Sequence, residues 1–220
     1  NEAHKIIEEC MLAANVCAAN FLIDNKIDGL FRNHECPSEE KLENLRGFLN
    51  EFGLSLQGGN KPTPKDYKHL VKKISNRPES HLLQTVLLRS MQQAVYSEKN
   101  LGHFGLAYDA YTHFTSPIRR YPDLIVHRAI KTKLDKKLFK LKDISKIAEH
   151  CSSSERRADE ATRDVESWLK CYFMQDKVGQ IFEGIVAGVT GFGLFIELDE
   201  IYIEGLLHVT ELGNDYFTYD

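Results

Sequence analysis

Residues 111–128 read YTHFTSPIRRYPDLIVHR, and this stretch both fixes a helix and locates the chemistry of the chain. Ser116 followed by Pro117 predicts a helix N-cap with proline at the first helical position, after which Leu124, Ile125 and Ile130 fall at helical spacing. On that reading Arg119 and Arg120 occupy the first turn, where free backbone N–H groups and the positive end of the helix dipole already favour an anion. Their guanidinium groups add fixed charge of the kind that grips phosphate oxygens in pairs. A solvated helix face explains two arginines equally simply, so the surroundings must decide.

Those surroundings are strongly cationic. Between Thr112 and Lys140, Arg119, Arg120, Arg128, Lys131, Lys133, Lys136, Lys137 and Lys140 face only Asp123 and Asp135, in a chain whose net charge is −4. The contrast marks a local basic footprint on an acidic protein. Tyr111, Phe114 and Tyr121 are interleaved with it, a combination suited to single-stranded nucleic acid, whose bases stack on aromatic rings for about 1–3 kcal/mol each.

Outward from this stretch the chain reads as α+β, helical first and β-rich last. Ala3 to Phe21 carries Ile6, Ile7, Met11, Leu12, Val16 and Phe21 on a helical repeat, and Leu42, Leu45, Phe48 and Leu49 repeat it after Pro37. Thr63, Pro64 and Asp66 give a cap, a first-position proline and a first-turn acid ahead of Tyr67, Leu70, Val71 and Ile74. Further helices are expected over 82–96 and 143–174, the latter with Ile147, Cys151, Ala158, Ala161, Val165, Trp168 and Tyr172 inward. The segment HFGLAYDAYTHF (103–114) is expected to be extended.

At Val178 the character changes. Gly179, Gly184, Gly188, Gly191 and Gly193 punctuate short alternating runs that predict strands and tight turns, and the GFG at 191–193 is no dinucleotide loop because no helix follows it. From Val178 to Asp220 there is no lysine or arginine but eight acidic residues. This segment would repel phosphate.

HFTSPIRRYPDLIVHR, preceded by GHFGLAYDAYT, resembles the signature of the ribonuclease II and ribonuclease R family of 3′→5′ exoribonucleases, closest to its bacterial ribonuclease R branch. NEAHKIIEECMLAANVCAANFL, GLFRNHECPSEEKLENLRGFL and KPTPKDY continue the resemblance in order, and VGQIFEGIVAGVTGFGLFIELDEIYIEGLLHVTEL is similar to an S-one-type OB-fold module. The implied organisation is the C-terminal part of an RNB catalytic domain at 1–176 and a partial, all-β OB barrel at 177–220. The implied activity is processive hydrolysis of single-stranded RNA from its 3′ end to nucleoside 5′-monophosphates, in the cytoplasm; a non-catalytic RNA-binding module is the competing reading. Resemblance makes Arg119 the catalytic residue and Arg120, Tyr111, His113, Tyr121, Phe192, Phe195 and His208 RNA contacts.

The family's Mg²⁺ ions are held by an aspartate cluster, D-x5-D-x-D-D, that this sequence lacks. The expectation is therefore that no residue of this chain is a metal ligand, that the aspartates lie upstream of Asn1 with further OB domains, and that the chain alone is inactive. A start without methionine, inside a helix, suggests a fragment. His103, His113 and His127 have no recognised ligand spacing, and Ser116 reads as a cap, not a nucleophile. Arg32 and His34 match a recurring pair of the family, as a mutual hydrogen-bonded pair or as RNA contacts. The charges from Glu155 to Asp164 read as a salt-bridged helix face that Glu160 and Arg163 leave bordering RNA, and Trp168 as core. No stretch looks apolar enough to span a membrane, and five cysteines without a zinc pattern read as buried free thiols.

Overall fold

The computed structural model describes residues 2–199 and 201–213. It divides into two units, Asn1–Arg157 and Ala158–Asp220. The first is helical. Its elements are α1 (Glu2–Asp24), β1 (Phe31–Asn33), α2 (Glu39–Glu51), α3 (Pro64–Ile74), α4 (Ser80–Ser90), β2 (Val95–Ser97), a 3-10 turn at Phe104–Leu106, α5 (Tyr121–Leu134) and the start of α6 (Ile144–Met174).

The helix signals of the sequence work through ordinary capping chemistry. Ser38 accepts from the Lys41 N–H at the head of α2, and the Asp66 carboxylate takes both the N–H and the hydroxyl of Thr63 at the head of α3. The two helices and α4 then close one core of Leu42, Leu45, Leu49, Tyr67, Leu70, Ile74, Leu83 and Leu87, each leucine contributing about 1.5–3 kcal/mol by leaving water. A second core packs Ala18, Ala19 and Leu22 of α1 against Val126 and Ala129 of α5. A third joins Leu30, Tyr96, Ile125 and Ala148, so α5 lies between the other elements and its N-terminal turn is braced from several sides.

Several expectations are corrected. The helix expected to reach Tyr96 stops at Ser90, and Tyr96 enters β2, paired antiparallel with β1 so that it faces Arg32; the β-branched and aromatic run Val95-Tyr96 suits a strand once a partner is at hand. Segment 103–114 is extended only in part, with bridges from His103 to His34 and Tyr108 around the 3-10 turn. In α1, Ile6, Ile7 and Met11 are exposed while Asn15, Ala18, Ala19 and Leu22 are buried. By length and composition α1 is apolar enough to cross a bilayer, contrary to expectation; in the fold its C-terminal half lies against α5. All five cysteines are free, but Cys10, Cys17 and Cys171 are exposed and none is buried.

The second unit holds the rest of α6, a 3-10 turn at Gln175–Lys177, and an antiparallel meander of β3 (Gly184–Thr190), β4 (Gly193–Leu198) and β5 (Glu204–His208) followed by a 3-10 turn at Val209–Glu211. A bulge between Val186 and Gly188 bends β3. Gly193 is fixed by close approach: a Cβ there would strike the Leu207 carbonyl and come within 3.0 Å of His208 Cα. In this half of α6, Ala158, Ala161, Val165, Trp168 and Tyr172 are exposed, with Trp168 stacked on Tyr172, centroids 5.6 Å apart. Trp168 is therefore a surface residue, against the expectation of core.

Candidate nucleic-acid interface

The arginines do not lie in the first helical turn. Residues 116–120 form a separate turn in which the Ser116 carbonyl accepts from the N–H groups of Arg119 (3.3 Å) and Arg120 (3.0 Å), and α5 begins at Tyr121 with Arg120 as N-cap and Pro122 inside the first turn. The reason is Asp123, wholly buried, whose Oδ1 accepts from the Ser116 N–H at 2.8 Å and from Arg120 Nη2 at 2.8 Å and Nε at 3.2 Å. A helix-internal acid reaches back and ties the turn down. Among the described residues the Ser116 side chain has no hydrogen-bond partner and so caps no helix; its backbone N–H and carbonyl are what the turn uses.

The two arginines are consequently unequal. Arg120 is half neutralised by Asp123. Arg119 is exposed and, among the described residues, has no ion-pair partner. A guanidinium held on a pinned turn with its five donors uncommitted is ready for a phosphate. Tyr121 beside it is 48% exposed, leaving a ring surface open to a base.

A second anchor comes from α1. Asn15, buried, donates to the Tyr111 hydroxyl at 2.9 Å and accepts from the N–H groups of Phe114 (2.9 Å) and Thr115 (3.3 Å). Tyr111 is itself buried, 5% exposed, packed edge-on to His103 and His113 and stacked near Tyr108. No face of its ring is open for a base. His127 stacks on Phe114 at 4.1 Å and meets its carbonyl at 2.9 Å, a packing role that takes it away from His103 and His113.

His113 sits among cations. Tyr96 Oη lies 2.8 Å from its Nδ1, and the Arg32 guanidinium lies over the ring of that tyrosine, 4.6 Å from its centroid, while pairing with Glu155 at 2.6 and 3.1 Å. Burial first, then Arg120 and Arg32, lowers the His113 pKa to about 3. Burial and then His34 lower that of His103 to about 4, and burial raises Tyr96 to about 12. Arg32 and His34 do not bond to each other: Arg32 takes Glu155, and His34 Nδ1 accepts from the Gly105 N–H at 2.9 Å. Of the charged run at 155–164, Glu155 alone has an ion-pair partner among the described residues.

These two histidines make folding sensitive to acid. Their folded pKa values lie below the ordinary 6.5, so below pH ~6.5 the unfolded chain takes up protons that the folded one refuses. Stability is complete above about pH 6.5 and is lost progressively as pH falls toward 4 and then 3. The urea midpoint should therefore drop between pH 6.5 and pH 5; an unchanged midpoint across that interval contradicts the neutral, buried imidazoles.

In the second unit the register sets Phe195 opposite Gly188 and Leu206, and His208 opposite Gly193. Phe195 and His208 therefore share one face of the sheet, because side chains alternate along a strand, and Phe192 at the β3–β4 turn meets Phe195 edge-on at 6.1 Å while remaining half exposed. His208 Nδ1 is engaged with Thr210.

Among the described residues no three His, Cys, Asp or Glu side chains converge. Asp123, the carboxylate buried beside the arginines, has Oδ1 committed to Arg120 and Ser116, while its Oδ2 is buried with no hydrogen-bond partner among the described residues. Sequence reasoning missed Asn15, Tyr96 and Asp123: a buried asparagine in an apolar helix was the available signal for the first, and no local pattern announces the other two.

Comparisons with known proteins identify both parts of the chain. Residues 1–136 match the model of the RNB domain, and residues 175–220 that of the S1 RNA binding domain. Ribonuclease R of Escherichia coli is 52% identical over 233 residues, covering all of this chain and 29% of that protein. The chain thus spans under a third of the length of that relative. Mycoplasma genitalium RNase R in its apo form superposes with a TM-score of 0.93 at 30% identity, covering all of this chain and 36% of that one. The same protein in complex with ribose-methylated single-stranded RNA gives 0.92 at 29%, with the same coverage. With a pinned, unneutralised arginine following the extended segment, and the RNB match spanning more than half of its residues, this chain belongs to the RNB domain family.

Proposed function

We propose that this chain is the part of a processive 3′→5′ exoribonuclease that holds the RNA backbone at the cleavage centre and carries the start of an S1-type binding module. The observation that supports it most is Arg119, exposed and without an ion-pair partner among the described residues, on a turn that Asp123 ties down and that follows a segment held by Asn15. Preorganised positive charge aimed at a phosphate is worth most where charge shifts during hydrolysis, since it needs no rearrangement at the moment of reaction. Arg119 is the catalytic residue of this reading. Arg120 adds a weaker field, His113 a polar contact and Tyr121 a stacking surface, while Tyr111 supports His113 and His103 from inside. Phe192, Phe195 and His208 offer one sheet face to bases.

Mg²⁺ is the ion proposed for the whole protein, held by aspartates outside this chain; it would activate water and neutralise the scissile phosphate. The substrate is single-stranded RNA with a free 3′ end, and the compartment is the cytoplasm. The domain boundary is placed at 176/177, where the glycine-punctuated β segment begins. The test is degradation of a 5′-labelled oligoribonucleotide with Mg²⁺ by the full-length protein and by residues 1–220 alone. Stepwise shortening from the 3′ end by the former and none by the latter is expected. Binding without shortening by the full-length protein would favour a non-catalytic RNA-binding module, and shortening by the isolated chain would move the metal site into it.

A further inference from the structure

The unused element of this site is Tyr96. Its ring is buried in the third core, its N–H donates to Ser152 Oγ at 2.9 Å, and the Arg32 guanidinium covers its face. Ser152 in turn donates to the Ala148 carbonyl. The tyrosine is thereby fixed by β1, β2 and α6, and its hydroxyl has one partner among the described residues, His113 Nδ1.

Only one proton arrangement satisfies both groups. Were Nδ1 protonated, it would donate to the tyrosine oxygen, and the buried Tyr96 O–H would be left without an acceptor. With Tyr96 donating, Nδ1 accepts, and the ring's single proton moves to Nε2. Among the described residues Nε2 has no hydrogen-bond partner, and His113 is only partly buried. The nearby Arg32, Arg119 and Arg120 discourage a second proton on the same ring.

We infer that Tyr96 is a positioning residue that locks His113 as the Nε2–H tautomer, so that His113 offers a single directed donor to an oxygen of the RNA backbone beside Arg119. This rests on the RNA-gripping role proposed above and adds to it a determinant of binding geometry. A cation in place of this imidazole would attract any phosphate at any angle. A locked neutral donor adds direction without further charge, which favours one placement of the strand against the arginine.

The experiment uses the full-length protein labelled with ¹⁵N-histidine, with His113 assigned by loss of its signal in His113→Gln. At pH 7.5 His113 should show a protonated Nε2 and an unprotonated Nδ1, and Tyr96→Phe should replace this with a tautomer mixture and weaken binding of a fluorescent single-stranded oligoribonucleotide about tenfold. His113→Gln, whose amide can donate from near the Nε2 position, should bind within about threefold of wild type, and His113→Asn, whose shorter amide cannot, should weaken like Tyr96→Phe. An Nδ1–H tautomer or an imidazolium in the wild type overturns the inference, as does unchanged affinity in Tyr96→Phe or equal affinity of the two amide variants. The urea midpoint reports whether Tyr96→Phe folds; if it does not, the Gln and Asn pair decides. A wild-type protein that fails to shorten RNA counts against the nuclease reading alone, because the tautomer is read without turnover.

Discussion

Replacing Arg119 with lysine in the full-length protein should reduce turnover on single-stranded RNA about 100-fold or more while changing oligoribonucleotide affinity by less than about threefold. Removing one preorganised donor from an oxyanion site costs about 10²–10³ in kcat, and lysine keeps the charge but loses the planar fork that engages two oxygens at once. Affinity changes little because many other basic residues, Arg128 and Lys131 to Lys140 among them, share the electrostatic attraction. The measurement is single-turnover kinetics beside equilibrium binding. Equal losses in both would make Arg119 an ordinary backbone contact; unchanged turnover would remove it from the reaction altogether.

Asp123→Ala should cost about 3–5 kcal/mol of stability, the range for breaking a buried ion pair by deleting one partner. Asp123 is 0% exposed and its Oδ1 serves three donors. Its loss leaves the Ser116 N–H and a half-buried guanidinium without an acceptor, and removes what separates the 116–120 turn from α5. Urea denaturation followed by circular dichroism gives the change directly. A loss under about 1 kcal/mol would mean that Arg120 turns outward to water at little cost, and the turn would then owe its shape to proline alone. Asp123→Asn, which keeps the shape, separates the charge from the packing.

The helices were legible where the hydrophobic period ran on, as over Leu42 to Leu49, and most sharply where a cap joined it, as at Thr63 to Asp66. Legibility failed where a partner outside the local pattern overrode it. Ser116-Pro117 carries every mark of a helix start, yet the Asp123 carboxylate seven residues on takes the Ser116 N–H, and the helix begins only at Tyr121. Val95-Tyr96 continues a helical pattern until β1 supplies a strand partner. The second half of α6 has an apolar stripe that reads as core, and its exposure follows from packing that periodicity does not encode. The motif singled out Arg119 as the candidate; that it is, among the described residues, the one of the two arginines without an ion-pair partner was not readable, because the pairing depends on how deep Asp123 lies.

The anchors of the site also bear on when it forms. Asn15 bonds to residues 96 to 100 positions away, and Arg32 to a glutamate 123 positions away. Each such link closes a long loop whose entropy must be lost before the contact returns anything, and contacts of this span form late in folding. The segment leading into the Arg119 turn is therefore fixed only once α1 has docked on it, and Arg32 of the short strand pair only once α6 has, while Asp123 ties the turn itself from seven residues away. Until those loops close, the chain carries the residues proposed to grip RNA without the arrangement proposed to place them, so the proposed activity would wait on a folded domain.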